Sequence, residues 1–250
     1  MNTIILTSYL DFDDENEFEE KIPKHFGNKN NILENLKKHI KKYDNFLYVA
    51  SDENNIEVTD YYANITFKSF DMTLPFKNYQ ILDIRTEDKK EELIKNADFI
   101  FLCGGHVPTQ NIFFKNINLK ELLKNTNAVI CGGSAGSMNC ATNIYCPPEL
   151  EGESVDPNFN KYFPGLGYTN INILPHYNDY QDLILDNKRY IEEIIIPDSY
   201  ETDIYAINDG SYFIIENNET TLYGEAYLIK NGKIEIINND NETKKIKEDK

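Results

Sequence analysis

Apolar residues arrive along this chain in short uninterrupted bursts, separated by longer polar stretches in which they recur every three or four positions. Residues 3–9 (TIILTSY), 45–51 (NFLYVAS), 79–84 (YQILDI), 97–103 (ADFIFLC) and 128–131 (AVIC) are too short for buried helices. Runs of that kind predict strands covered on both faces, as at the centre of a parallel sheet. Between them Ile32, Leu33, Leu36, His39 and Ile40 keep helical spacing, with His39 on the helix surface, and Tyr61, Tyr62, Ile65 and Phe67 do the same within 58–70. Further helices are predicted over 86–96, with Thr86 as N-cap, and over about 109–124. Residues 11–20 read as an acidic loop or loose helix. Strands alternating with helices imply right-handed βαβ units, hence an α/β fold of flavodoxin-like type, a mostly parallel sheet with helices on both faces. Ligands of such sheets bind off the carboxyl ends of the strands.

The second half reads differently. A loop rich in Pro, Gly and acids, 145–167, is longer than ordinary connections and so marks function or disorder. A strand over 170–174 (NINIL) and a helix over 181–195 follow. Beyond 203 the pattern becomes short alternating strands (IYAI, SYFII, TLYGEAYLI, KIEII), and Asn231-Gly232 is a two-residue hairpin signal. This antiparallel, β-rich C-terminal part is expected to pack beside the main sheet within one domain spanning 1–250, with 238–250 a frayed polar tail.

Composition keeps that picture and removes several functions. With 250 residues, 40% of them hydrophobic, the chain can bury a sizeable core. A net charge of −17 argues against nucleic acid and against anionic membranes, because phosphate-rich partners demand clustered Lys and Arg. No run of about 18 apolar residues predicts a membrane span. The first 20 residues lack the basic start of a secretory signal, so the cytoplasm is the expected compartment. Cys103, Cys131, Cys140 and Cys146 form no CxxC pair and no zinc-ligand spacing is present; neither disulfides, nor a metal, nor a cofactor is expected.

Chemistry concentrates at 127–142, where the apolar run ends in Gly132-Gly133-Ser134-Ala135-Gly136, an unbroken G-x-S-x-G, and Ser137 onward continues as helix. In such a nucleophile elbow the serine sits on a strained turn and needs glycines two positions either side. Four histidines compete as its base. His25 and His39 lie in polar surroundings and read as solvated side chains. His106 follows Gly104-Gly105 at a strand end, where it lines a pocket. His176 stands just past the 170–174 strand, on the same rim as Ser134, and is the better general base.

The segments CGGHVPTQ (103–110), GGSAGS, NILPHY, IYAINDGSYFII and LYGEAYLI together resemble peptidase family S51, the dipeptidase E and cyanophycinase group, whose fold is like that of the class I glutamine amidotransferases. CPPELEGESVDPN and PGLG resemble a Firmicute branch of it. The resemblance implies a serine peptidase acting on small peptides, with an N-terminal Asp preference in its dipeptidase E members. It implies Ser134 as nucleophile, His176 as base, and an acid from the loop after the elbow. The loop offers Glu149, Glu151, Glu153 and Asp156, at least two of which must be solvated loop charges; Glu149 stands at the family's offset, and Asp156 is the alternative. It further implies Gly105 and Ala135 N–H groups as oxyanion hole, and Arg189, His106 and Gln110 at the substrate. GGHVPT departs from the family's GGGNTF-type turn, and the segment after His176 lacks the basic residues of the cyanophycinase branch.

Rival readings differ in checkable ways. A glutaminase would carry Cys at the elbow. An α/β-hydrolase esterase places its His near the C-terminus, whereas about 74 residues follow His176. A non-catalytic small-molecule or peptide-binding protein on the same fold is the alternative of a different class. Such folds admit a homodimer.

Overall fold

The computed structural model describes residues 2–248, so the outermost residues of the polar tail lie outside the described residues. An eight-stranded sheet forms the centre. Its parallel half runs in the spatial order Ile4–Thr7, Val129–Gly133, Phe99–Leu102, Asn45–Val49, Asn78–Leu82. On the other side of Ile4–Thr7 the sheet continues antiparallel through Tyr212–Glu216, Glu219–Tyr223 and Thr243–Ile246. A second sheet is built from Asn172–Leu174, Ile204–Ile207, Ala226–Lys230 and Lys233–Asn238.

The uninterrupted apolar runs are explained by two cores, one on each face. Side chains alternate across a strand. Phe46, Tyr48, Phe99, Phe101, Val129 and Cys131 point into one core with the helices Ile32–His39 and Ile56–Thr73. Leu47, Val49, Ile100, Leu102 and Ile130 point into the other, with the helices Lys90–Asn96 and Val107–Asn116 and part of the second sheet. The first core is aromatic, with Phe46 ringed by Phe70, Phe76, Tyr79 and Phe99; the second is mainly aliphatic. The α/β expectation holds.

Several local expectations do not. Residues 11–20 form part of a small antiparallel hairpin, Asp13–Glu15 with Lys21–Pro23. Its acids face Lys21 and Lys24, which ion pairs favour and an apolar pattern cannot reveal. Thr86 does not cap its helix: its hydroxyl turns back to the Ile81 carbonyl. The helix over 109–124 breaks at Asn118, in left-handed conformation (φ 56°). The elbow helix is only Ala135–Met138, and the chain then leaves as a strand, Asn143–Tyr145, paired with Tyr162–Pro164. The helix over 181–195 is replaced by a hairpin, Ile184–Leu185 with Lys188–Arg189, followed by a π-helical turn Tyr190–Ile195. Asp186 and Asn187 take positive φ (51° and 62°) at its tip, the twist a two-residue hairpin requires. TLYGEAYLI divides at Gly224-Glu225, its halves joining different sheets. The tail is ordered as strand Thr243–Ile246. His39 lies on the helix flank, half-buried rather than solvated, its Nδ1 2.7 Å from the Asn35 carbonyl and its Nε2 3.3 Å from Glu216. The Asn231-Gly232 hairpin forms as expected, with φ of 50° and 77°.

Among the described residues no helix is long and apolar enough to cross a membrane.

Candidate active site

The strand Val129–Gly133 delivers Ser134 to the carboxyl rim of the sheet at φ 48°, ψ −114°. A non-glycine residue held there stores about 1–3 kcal/mol of strain. The surroundings impose it. A Cβ on Gly136 would lie 2.1 Å from the Leu102 carbonyl oxygen, and one on Gly132 2.6 Å from the Ser137 nitrogen, so helix and strand approach as only glycine permits. The Ser134 N–H is shared between the Thr7 and Ser8 carbonyls at 3.1 and 3.0 Å, while its hydroxyl stays half-exposed.

His176 follows the strand Asn172–Leu174 directly and is itself left-handed, φ 55°, ψ 34°, a conformation costing about 1–2 kcal/mol without support. Support comes from two neighbours. Its backbone N–H donates to Ser8 Oγ at 2.9 Å, and its Nδ1 lies 2.8 Å from Asp209 Oδ1. Ser8 Oγ in turn donates to the same Asp209 Oδ1 at 2.5 Å. A carboxylate at Nδ1 favours the proton there and leaves Nε2 as the basic nitrogen. Ser8, 1% exposed, therefore touches the serine turn through its carbonyl and the His–Asp pair through its hydroxyl.

Asp209 was not among the expected acids. It lies in the turn Asn208-Asp209-Gly210 between the second sheet and the main sheet, and Tyr212 pairs with Thr7, which sets this turn opposite Ser8. Burial pushes its carboxyl up, but the His176 hydrogen bond and charge, the Ser8 hydroxyl and the Lys29 ammonium outweigh that and hold it below the usual range.

Glu149, expected as the acid, is near the ring without bonding it. Burial and the adjacent Glu153 charge push it up to about 7, against a smaller pull from His176. Among the described residues its carboxyl has no hydrogen-bond partner; only its backbone N–H is used, donating to Glu153 Oε2 at 2.8 Å. Asp156 is exposed and accepts from the Asn158 N–H in its own turn, remote in role from the ring. Glu151 is exposed, whereas Glu153 is half-buried, 3.7 Å from His106 Nε2.

The glycine turn adjoins the nucleophile: a Cβ on Gly104 would sit 3.5 Å from Ser134 Cβ. Gly105 has φ 144° and packs so closely on Ser51 that a Cβ would meet its hydroxyl at 2.0 Å. Ala135 opens the short helix, so its N–H has no intrahelical acceptor. Gln110 is a correction. It is fully buried, which closes it to a substrate, its Nε2 donating to the Cys103 carbonyl at 2.8 Å and its Oε1 accepting from Asn139 at 3.0 Å. It braces the glycine turn against the elbow helix instead. Arg189 lies on the surface hairpin rather than on a helix, its guanidinium on Glu192 and its backbone N–H on Glu193.

The loop carrying Glu149 is held from outside the rim. Asp186 accepts the Gly152 and Ser154 N–H groups at 2.7 and 3.0 Å, and Lys188 Nζ donates to the Ser154 carbonyl at 2.7 Å. The one metal-compatible cluster among the described residues is His176, Asp179 and Asp209, with ligand atoms within 4.8 Å of one another. It includes the candidate base, so a cation there would compete for the imidazole. A cleft of about 890 Å³, lined by Ile4, Leu123, Tyr168, Ile215 and Lys245, lies at the opposite end of the strands from this chemistry.

A strained serine at a strand-to-helix elbow of the main sheet, with an Asp-held imidazole brought to the same Ser8 anchor by the second sheet, is the arrangement of the serine-hydrolase class. Within it, the chain belongs to peptidase family S51, a serine peptidase family whose model matches residues 24–223. Two solved structures share the fold. A peptidase from an acI-B1 Actinobacterium superposes with a TM-score of 0.63 at 15% identity, covering 98% of this chain and 97% of that one. A candidate peptidase E protein from Listeria monocytogenes EGD-e gives 0.58 at 20% identity, with 88% and 96% covered. No curated protein matches the sequence at a significant level.

Proposed function

We propose that this protein is a serine-type exopeptidase that hydrolyses small peptides through an acyl-enzyme, with Ser134, His176 and Asp209 as its triad. The observation that carries the reading is the Ser8 junction, which anchors the nucleophile turn and the base to one residue of the central strand. His176 Nε2 takes the Ser134 proton as Oγ attacks the peptide carbonyl. The oxyanion is received by N–H groups of Gly105 and Ala135. Imidazolium then protonates the departing amine, and water, deprotonated by the same ring, releases the acyl group. Among the described residues no hydrogen bond joins Ser134 Oγ to the ring, and such bonds commonly tighten only once substrate is bound. Glu149, ionised above about 7, adds negative charge near the ring.

Because Arg189 is engaged by Glu192 and Glu193, a preference for N-terminal Asp has no support from that residue. Mass spectrometry after fluorophosphonate treatment, with Ser134→Ala as control, and a panel of Asp-X, Glu-X and neutral dipeptides test the reading. Labelling confined to Ser134 with hydrolysis of at least one dipeptide class supports it. A protein inert to both is the binding protein of the same fold.

A further inference from the structure

We propose that Ser8 is a positioning residue of this site, a single hydroxyl on the first strand that aims both the imidazole and the carboxylate behind it. The proposal rests on the peptidase reading above. A serine hydroxyl has one proton and two lone pairs. Here the proton goes to Asp209 Oδ1 at 2.5 Å and a lone pair receives the His176 N–H at 2.9 Å. The same Oδ1 lies 2.8 Å from His176 Nδ1, so Ser8, Asp209 and His176 close a ring of three contacts.

The anchor is rigid where the partners are not. Ser8 is 1% exposed and follows a strand flanked by the elbow strand, with Thr7 opposite Gly133, and by the antiparallel strand, with Thr7 opposite Tyr212. His176 sits in a left-handed conformation that histidine does not choose for itself, and Asp209 has 44% of its side chain exposed. Neither would hold one orientation on its own. The Ser8 carbonyl meanwhile receives the Ser134 N–H at 3.0 Å, shared with the Thr7 carbonyl at 3.1 Å, so Ser8 contacts both the nucleophile turn and the base.

Ser8→Ala and Ser8→Thr, compared with the wild-type chain, test this by steady-state kinetics across pH, rate of fluorophosphonate labelling and thermal unfolding. Ser8→Ala is expected to lower kcat about 10- to 100-fold with KM within about two-fold. Its acid limb moves to higher pH, because a carboxylate that has lost a donor keeps its charge more localised and stabilises the imidazolium. A merely structural residue would leave that limb in place. Ser8→Thr, which keeps the hydroxyl, restores most of the rate. A folded Ser8→Ala with wild-type kcat and an unmoved limb overturns the proposal, as does a folded Ser8→Thr that is equally slow. If Ser8→Ala loses its cooperative transition, Ser8→Cys is judged by the same criteria. In the wild-type protein the His176 amide is expected to exchange slowly with solvent, and free exchange overturns the contact without any variant. A wild-type chain that resists labelling sinks the peptidase reading alone, and the amide measurement still decides Ser8.

Discussion

Two carboxyl groups approach one imidazole, and the protein treats them in opposite ways. Asp209 stands on a turn between two sheets, partly open to water, yet Ser8 and His176 hold it below the usual carboxylate range. Glu149 hangs from a long loop, where its charge is felt by Cys146, Tyr180 and Tyr190, and burial beside Glu153 lifts it to about 7. Proximity to the base alone does not select the partner. Groups whose environments drive their pKa values apart take different roles: a permanent charge behind the ring for Asp209, and for Glu149 a charge that comes and goes near neutrality.

The comparison breaks most decisively on paired substitutions. Asp209→Asn is expected to cut kcat by about 10³- to 10⁴-fold, and Glu149→Gln by less than about 10-fold at neutral pH, in steady-state assays on the best dipeptide. The reverse ranking would hand the triad back to the loop.

Stability against pH sharpens it next. Glu149 titrates near 4.5 unfolded and about 7 folded, so between those values the folded chain holds more protons and stability falls as pH rises. Glu149→Gln should remove that fall, on the order of 2 kcal/mol, measured as thermal midpoints at about pH 5 and pH 8. Asp209 has the opposite sign. Its folded value lies below the ordinary 3.8, so its contribution is present above that and is lost only as pH drops through the lower folded value. The titration of Asp209 itself therefore contributes no slope between pH 5 and 8.

A smaller effect is expected from Asp186→Ala, which frees the Gly152 and Ser154 N–H groups and loosens the Glu149 loop without touching the rim. It should change KM by about two- to five-fold and speed amide exchange in the loop. Arg189→Ala, removing an exposed i,i+3 pair, should alter kcat/KM by less than about two-fold on any dipeptide. A larger loss confined to Asp-X substrates would restore the arginine to the binding site.

The central strands were legible because burial on both faces leaves no polar alternation to confuse the reading; Phe99 and Ile100 serve different cores but look alike in sequence. His176 stands just past a strand of the second sheet, not of the main sheet as expected, whereas Ser134, just past a main-sheet strand, was legible as an elbow. Asp209 was not. The segment INDGS carries part of the family resemblance, but placing its acid needs the direction of the strand that follows. That strand runs antiparallel to the first, so its beginning, not its end, reaches the rim. The helix over 181–195 misled in another way. Ile191, Ile194 and Ile195 do line a buried face, yet Asp186-Asn187 upstream is a hairpin turn signal that outweighs the spacing.

The last strand, Thr243–Ile246, forms one margin of the main sheet, and its sequence TKKI puts two lysines there. Unpaired backbone along a sheet margin invites another chain to add itself, and ammonium groups on that margin are a common deterrent. A second copy docking there about a two-fold axis would bring lysine against lysine. Edge-to-edge pairing of two copies along that strand is thereby disfavoured.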